Sequence, residues 1–227
     1  SLLILWQGEN PATAMKYILQ GAFGSIRNFG NTLRWITPCI LTGIAATIAF
    51  KSGVMNLGIE GQLYFGAYAA ALFGFYVPLP KALHVTGCLL AAGIAGMLFA
   101  LIPAVMKLTF HVNEMITTLM LNYIAYYIVD YLRQGPWQDP EARGFPKIAT
   151  FDPNAYLGKI FGVQFGWIIG LLLVVLVFVY LRYTKSGYEI SVVGESQATA
   201  RYAGINVKRV MIVTMVLSGA ISGIAGM

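Results

Sequence analysis

The chain has 227 residues, of which 58% are hydrophobic and only 11% are charged. Soluble domains carry about 25% charged residues, so this composition excludes an ordinary water-soluble surface. The net charge of +6 comes from 15 basic and 9 acidic residues that lie singly between apolar runs, which excludes the clustered basic patch of a nucleic-acid-binding protein. We therefore predict an all-α, polytopic integral membrane helical bundle in contact with lipid.

The chain begins with a short polar-apolar region before its first long apolar run. Asn10 and Pro11 predict a helix start, with Asn10 as the N-cap. The stretch 12–31 is mixed in polarity and is expected to form a short interfacial helix and a connector. Because apolar runs are cut at both ends, we expect 1–227 to be a single transmembrane domain that is truncated at both ends.

Six apolar segments are predicted to cross the membrane, since a spanning helix needs about 20 apolar residues. They are 35–50, 63–77, 85–106, 115–132, 161–181 and 210–227. The first two have only 16 and 15 residues and flank a Gly-interrupted stretch. Small residues recur at every fourth position in several segments, as in Gly219 and Gly223, which predicts close helix packing.

The Gly-interrupted stretch, 51–62, must contain a break in the helix. A continuous helix over 35–77 would run about 65 Å, far beyond a hydrocarbon core of about 30 Å. We expect glycine to permit the backbone angles of this break. The stretch is either a turn at the membrane surface or a break within the membrane that lies on a substrate path. The candidate path residues here are Asn56, Glu60 and Gln62.

The fourth segment carries a polar stripe. Glu114, Thr118, Asn122 and Tyr126 are spaced by four and therefore share one helix face. A polar face in a spanning helix is expected to face protein or a water-filled path. We interpret the first three of these residues as further candidates for the substrate pathway; the alternative is interhelical hydrogen bonding.

The stretch 182–209 predicts a short helix between two spans. Ser196 is a suitable N-cap, Arg201 suits the last turn, and Gly204 suits the C′ position. The helix is either a docking element or a helix that rests on the lipid surface. If each segment crosses once, the side that carries this helix has seven basic residues in 48 positions, against seven in 68 on the other side, which favours a cytoplasmic position.

The remaining residues do not indicate a nucleotide-binding or metal-binding site. The chain contains no phosphate-binding Gly-rich loop, and no group of residues has the spacing of metal ligands. His84 and His111 are isolated and are interpreted as residues at span boundaries. Tyr and Trp gather near segment ends, which is typical of interface belts rather than of a ligand cage. The aromatic residues in question are Tyr126, Tyr127, Tyr131, Trp137, Trp167, Tyr180 and Tyr183.

Three ordered motifs resemble the permease subunits of bacterial ABC importers. Residues 50–62, FKSGVMNLGIEGQ, are similar to FNIGxEGQ, with Met55 where the family usually has Phe; residues 113–124, NEMITTLMLNYI, are similar to NEVIxTLMLN. Residues 187–209 and the motif LSGAISGIAG at 217–226 are similar to the family's cytoplasmic loop and next span. The branch is that of nucleoside and simple-sugar systems, related to ribose and branched-chain amino acid permeases.

The resemblance implies a permease domain without catalytic activity or a cofactor of its own, in the bacterial plasma membrane. It implies three partners: an ABC ATPase subunit that hydrolyses ATP, a second permease subunit, and an extracytoplasmic solute-binding lipoprotein. It also implies that the short helix couples to the ATPase. The residues expected to do so are Gly194, Glu195, Ser196, Ala200, Arg201 and Gly204.

The function that we predict is therefore the import of nucleosides by an ATP-driven transporter. A simple sugar in place of the nucleoside is one alternative. A proton- or ion-coupled secondary carrier is another, although Asp130, the one acidic residue within a span, lies near the end of that span. A structural membrane subunit is the third.

Overall fold

The computed structural model describes residues 5–6, 8, 10–139, 148, 158–160 and 163–227. These residues form a helical bundle, as predicted, with a pair of antiparallel two-residue strands between two of the helices. In chain order the elements are α1 Pro11–Phe23, α2 Ile26–Lys51, α3 Ile59–Tyr76, α4 Lys81–Phe110, α5 Glu114–Gln134, β1 Lys159–Ile160, β2 Val163–Gln164, α6 Gly166–Tyr183, α7 Lys185–Glu195, α8 Gln197–Tyr202 and α9 Val207–Ala225. The two strands are antiparallel, with Lys159 opposite Gln164.

The first helices differ from the prediction. Asn10 caps α1 as expected, since its side chain accepts a hydrogen bond from the amide of Ala12. The predicted connector, however, consists only of Gly24 and Ser25. The Ser25 hydroxyl accepts from the amide of Asn28 and starts α2 at Ile26, well before the apolar segment at 35–50. A capping side chain thus starts the helix inside a polar stretch.

Each of the six predicted segments contributes a long helix. Within the described residues, α2, α4, α6 and α9 are both long and apolar enough to cross a membrane. The other two, α3 and α5, have 18 and 21 residues and do not meet both conditions. These two helices carry five of the six candidate pathway residues, and Asn56 lies between α2 and α3.

Helices α3, α4 and α9 pack closely through their small residues. A Cβ placed on Gly66 would lie 2.3 Å from the carbonyl oxygen of Gly223, and one on Gly96 would lie 2.2 Å from that of Gly219. A Cβ on Gly223 would lie 2.2 Å from the carbonyl oxygen of Ala92. The predicted small-residue stripes therefore meet each other, and even a methyl group would separate the three backbones.

The bundle has two distinct ends. We call the end that carries α7 and α8 the α8 end; there Val54, Ile190, Val193 and Met215 belong to one buried apolar cluster. We call the opposite end, where α3 ends and α4 begins, the far end. Helix α6 lies at the periphery of the bundle, because only one of its 18 residues, Gly170, is buried.

Candidate functional site

Residues 52–58, which we call the extended segment, separate α2 from α3. Its side chains alternate between buried and exposed, as in a strand. Ser52, Val54 and Asn56 are 0%, 1% and 1% exposed. Burial of every second residue excludes a simple turn that is surrounded by water.

The extended segment runs from the α8 end into the bundle. Val54 packs in the buried cluster with Ile190 and Val193 of α7. Asn56 donates a hydrogen bond to Ser218, which lies eleven residues after the first residue of α9. Eleven residues of helix correspond to about 16 Å. The break between α2 and α3 therefore extends along the bundle and is not confined to its α8 end.

Asn56 is the centre of a buried polar network. Its amide group donates to Gln62 at 3.1 Å and to Ser218 at 3.0 Å, and its carbonyl oxygen accepts from the Gly58 amide at 3.0 Å. Ser218 in turn donates to the carbonyl oxygen of Ala45 in α2 at 2.8 Å. One side chain thus links α2, the extended segment, α3 and α9.

The polar stripe of α5 binds the other side of the same segment. The side chain of Asn122 accepts from the amide of Gly61 at 2.8 Å and donates to the carbonyl oxygen of Leu57 at 2.8 Å. Thr118 accepts from the Leu57 amide at 3.3 Å. The structure therefore joins the two predicted groups of residues, which are about 60 positions apart in sequence.

Two predicted pathway residues lie outside this network. Glu114 forms an ion pair with Lys107 at the turn between α4 and α5. Glu60 is exposed and interacts with Tyr64, one turn further along α3. Of the six predicted pathway residues, four therefore meet around the extended segment, and these four bond to protein groups.

The glycines of the break differ from the prediction. Gly53 has a φ of +75°, which favours glycine, but Gly58 has a φ of −86°, which any residue adopts. Gly58 is needed for space, since a Cβ there would lie 3.0 Å from Cβ of Thr118. A Cβ on Gly61 would likewise lie 2.8 Å from the Asn122 side-chain oxygen. Close approach of α5, and not backbone freedom, therefore explains Gly58 and Gly61.

The extended segment also touches the end of α7. A Cβ on Gly194 would lie 2.1 Å from the carbonyl oxygen of Lys51, and a Cβ on Gly53 would lie 3.5 Å from Cα of Gly194. Gly194 thus lets α7 reach the end of α2. The residue was predicted as part of the α8 region, and the structure places it between α8 and the extended segment.

The predicted short helix is present as α8. Ser196 caps it by accepting from the Thr199 amide at 3.2 Å. Gly204 has a φ of +76°, and the amides of Gly204 and Ile205 donate to the carbonyl oxygens of Arg201 and Ala200, which is the Schellman arrangement. Ala200 is fully buried, whereas Glu195 and Arg201 are exposed. Helix α8 is thus anchored through Ala200, while Arg201 and the last residue of α7, Glu195, offer exposed charges.

A cavity of about 490 Å³ at the far end was not predicted. Tyr68, Trp137 and Trp167 contribute to its lining, together with residues from α2, α4, α5 and α9. Two of these residues were interpreted as parts of an interface belt, because sequence spacing does not show which aromatic rings converge. Of residues 140–157, only Ile148 belongs to the described part of the chain.

His84 lies in the first turn of α4, and its side chain is buried. It is 1% exposed, and neither ring nitrogen has a hydrogen-bond partner among the described residues. Its ring centroid lies 6.1 Å from that of Phe73. The sequence signal that was available is its i, i+4 spacing to Cys88, which is buried on the same helix.

Comparison with known proteins gives relatives along the whole chain. The guanosine ABC transporter permease protein NupP of Bacillus subtilis is 34% identical over 100% of this chain, and the nucleoside ABC transporter permease protein NupB of Lactococcus lactis is 28% identical over 100%. The glucose ABC transporter permease protein TsgB13 of Haloferax volcanii is 33% identical over 83%. The chain spans 66%, 65% and 53% of the lengths of these proteins. No solved structure matches it.

The match to a family profile covers most of the chain. The profile is described as the permease component of the branched-chain amino acid transport system, and it matches residues 28–227. That range includes the extended segment, the α5 stripe and α8. The motifs that resemble this group in the sequence all lie within the matched range, and the chain belongs to this permease family.

Proposed function

We propose that this chain is the membrane-spanning permease subunit of an ATP-driven importer of nucleosides. The observation that carries the proposal is the similarity along the whole chain to guanosine and nucleoside permeases. In this role the chain provides the translocation path in the cytoplasmic membrane. It performs no catalysis and needs no cofactor, because a partner subunit hydrolyses the ATP.

The α8 end is the proposed docking site for the ATPase subunit. The exposed charges of Glu195 and Arg201 stand beside a capped helix whose Ala200 is buried in the bundle. A helix that is anchored in this way transmits a displacement by the ATPase subunit to the helices on which it packs. The α8 end then faces the cytoplasm, in agreement with the density of basic residues on that side.

The extended segment is the proposed link between the ATPase and the substrate path. Gly194 adjoins both Lys51 and Gly53, so a displacement of α7 and α8 acts directly on the start of the segment. Asn56, Asn122 and their partners carry that displacement to α3, α5 and α9. The proposed path region comprises Asn56, Glu60, Gln62, Glu114, Thr118 and Asn122.

Two further partners complete the proposed importer. An extracytoplasmic solute-binding lipoprotein delivers the nucleoside at the far end. A second permease subunit, or lipid, covers the exposed apolar surface of α6, on which Leu172, Val175 and Phe178 are about 60% exposed.

The direct test is uptake of labelled guanosine in a strain that lacks the gene of the complete permease. We expect uptake to be lost on deletion, restored by the gene, and abolished by depletion of ATP. Uptake that persists without ATP but disappears with the proton gradient would instead show a secondary carrier. Uptake of labelled glucose and of labelled ribose is measured in the same strains, because the similarity to a glucose permease favours a sugar as the second candidate substrate.

The docking assignment has its own test. We expect Glu195→Arg and Arg201→Glu to reduce co-purification of the ATPase subunit while the permease stays in the membrane. Lys16→Glu is the matched control, because Lys16 is exposed on α1. Undiminished co-purification and substrate-stimulated ATP hydrolysis in both the Glu195 and the Arg201 variant would remove the docking assignment.

A further inference from the structure

We infer that the cavity at the far end binds the nucleobase ring of the incoming substrate. This inference rests on the proposed import of nucleosides and adds a site within the permease itself. None of the residues predicted for the substrate pathway lines this cavity. It is therefore a second and separate candidate for contact with substrate.

The size and position of the cavity fit such a ligand. Its volume of about 490 Å³ lies within the range of about 300–1,000 Å³ that is typical of small-molecule sites. It lies among α2, α3, α4, α5, α6 and α9, with Gly74 near the end of α3 and Cys88 near the start of α4 in its lining. A nucleoside released by a binding protein at the far end would meet this cavity before the extended segment.

One side of the cavity is a preorganised aromatic surface. The rings of Tyr68 and Trp137 are stacked, with centroids 5.2 Å apart and planes inclined by 21°. Phe75 packs edge-on against Trp137 at 5.7 Å. These contacts fix the orientation of the rings before a ligand arrives, so little side-chain entropy is lost when a flat ring stacks on them.

The lining of the cavity also includes polar side chains. Arg34 supplies guanidinium donors, and Gln164 supplies an amide group that can both donate and accept. The carbonyl oxygens and ring nitrogens of a nucleobase are acceptors for these donors. Trp167 lines the cavity as well, but its indole Nε1 is covered by other protein atoms.

The balance of apolar and polar groups favours a base over the other candidate ligands. Leu41, Ala70, Ala71 and Leu89 make much of the remaining lining apolar. A free sugar would bury several hydroxyl groups here with few partners, which is costly. A lipid chain would bring no hydrogen-bonding group to Arg34 and Gln164. A heteroaromatic ring combines flat apolar faces with a few acceptors at its edge, and it matches both features.

The test measures binding of radiolabelled guanosine to the complete permease, assembled with its ATPase subunits in lipid nanodiscs, without the binding protein. We expect saturable binding that unlabelled guanosine displaces and ribose does not. Trp137→Leu should weaken binding by about 5- to 150-fold, the range for loss of base stacking. Gln164→Leu removes an amide group from the lining, and it should weaken binding by about 2- to 12-fold.

Trp35→Phe is the matched control, since Trp35 is 78% exposed on α2 and does not line the cavity. Assembly with the ATPase and the thermal midpoint of each variant show that it is folded. Guanosine binding that is absent, unchanged in both variants, or displaced equally by ribose would overturn the inference, even if guanosine uptake with the binding protein is normal. Absence of guanosine uptake by the whole importer would instead overturn the proposed function.

Discussion

The extended segment and the far-end cavity both place polar side chains inside the bundle, and they differ in one respect. Around the extended segment, Asn56 and Asn122 have protein partners for both ends of their amide groups. In the far-end region, Arg34 and Gln164 line an open volume of about 490 Å³ together with aromatic rings. A satisfied network holds elements in one arrangement, whereas polar and aromatic groups beside open space are available to a ligand. We interpret the first region as one that holds helices and the second as one that can bind a ligand.

The largest effect that would test this comparison is expected for Asn56→Leu. The substitution leaves the Gly58 amide and the side chains of Gln62 and Ser218 without the partner that Asn56 provides. At about 1–3 kcal/mol for each unsatisfied group, we expect a loss of at least about 3 kcal/mol and no transport. Thermal unfolding of the purified permease in detergent measures the loss.

Asn31→Leu is the control for this variant, because Asn31 is exposed on α2. If Asn56→Leu unfolds at the temperature of the control, the network does not hold the helices together, and the contrast between the two regions fails.

The next largest effect is expected for Gly194→Ala. The added methyl would lie 2.1 Å from the carbonyl oxygen of Lys51, so α7 has to move away from α2. Overpacking of this kind costs about 1–3 kcal/mol. We expect guanosine-stimulated ATP hydrolysis to fall more than binding of guanosine does. Gly43→Ala is the control, since nothing lies within 4 Å of its added Cβ; equal hydrolysis in the two variants would contradict the proposed link.

A smaller effect is expected for Asn122→Leu. It removes the partners of the Gly61 amide and the Leu57 carbonyl, but Asn122 is only partly buried and water can replace part of the loss. We expect a destabilisation of about 1–2 kcal/mol, normal insertion and reduced transport. Uptake and membrane content of the variant are measured together. Normal uptake would leave Asn122 as a packing residue.

The smallest disturbance comes from single cysteines in a protein from which Cys39 and Cys88 have been removed. We expect Glu60→Cys to react with a small water-soluble thiol reagent, because Glu60 is exposed. Val54→Cys leaves the Asn56 network intact and should react only when ATP and substrate are added, since that position is 1% exposed. Rapid labelling of both positions without ligands would show that the segment is open to water in the resting state.

Part of this architecture could be predicted from the sequence. The lengths of the segments before and after Gly53 required a break, and the four-residue spacing of Thr118 and Asn122 placed them on one face. That these two residues bind Leu57 and Gly61 could not be predicted, because periodicity shows which face is polar but not what that face meets. The start of α2 was a smaller error, since the capping residue Ser25 precedes it in the sequence.

The cavity was beyond the reach of sequence patterns for a related reason. Trp137 follows α5 and Trp167 lies in the first turn of α6, positions that are also typical of an interface belt. Only the fold shows that Trp137 stacks on Tyr68 of α3. Aromatic residues near the ends of spans therefore need a three-dimensional arrangement before a belt and a binding site can be distinguished.

The backbone contacts among Gly66, Gly96 and Gly223 restrict how this protein can change shape. Helices whose main chains touch cannot slide past each other without first separating, and separation would open a void in lipid along their length. Helices α3, α4 and α9 are therefore expected to move as one rigid body during a transport cycle. Under the proposed function, the movement that exposes a substrate is then expected between this body and α6, of whose 18 residues only Gly170 is buried.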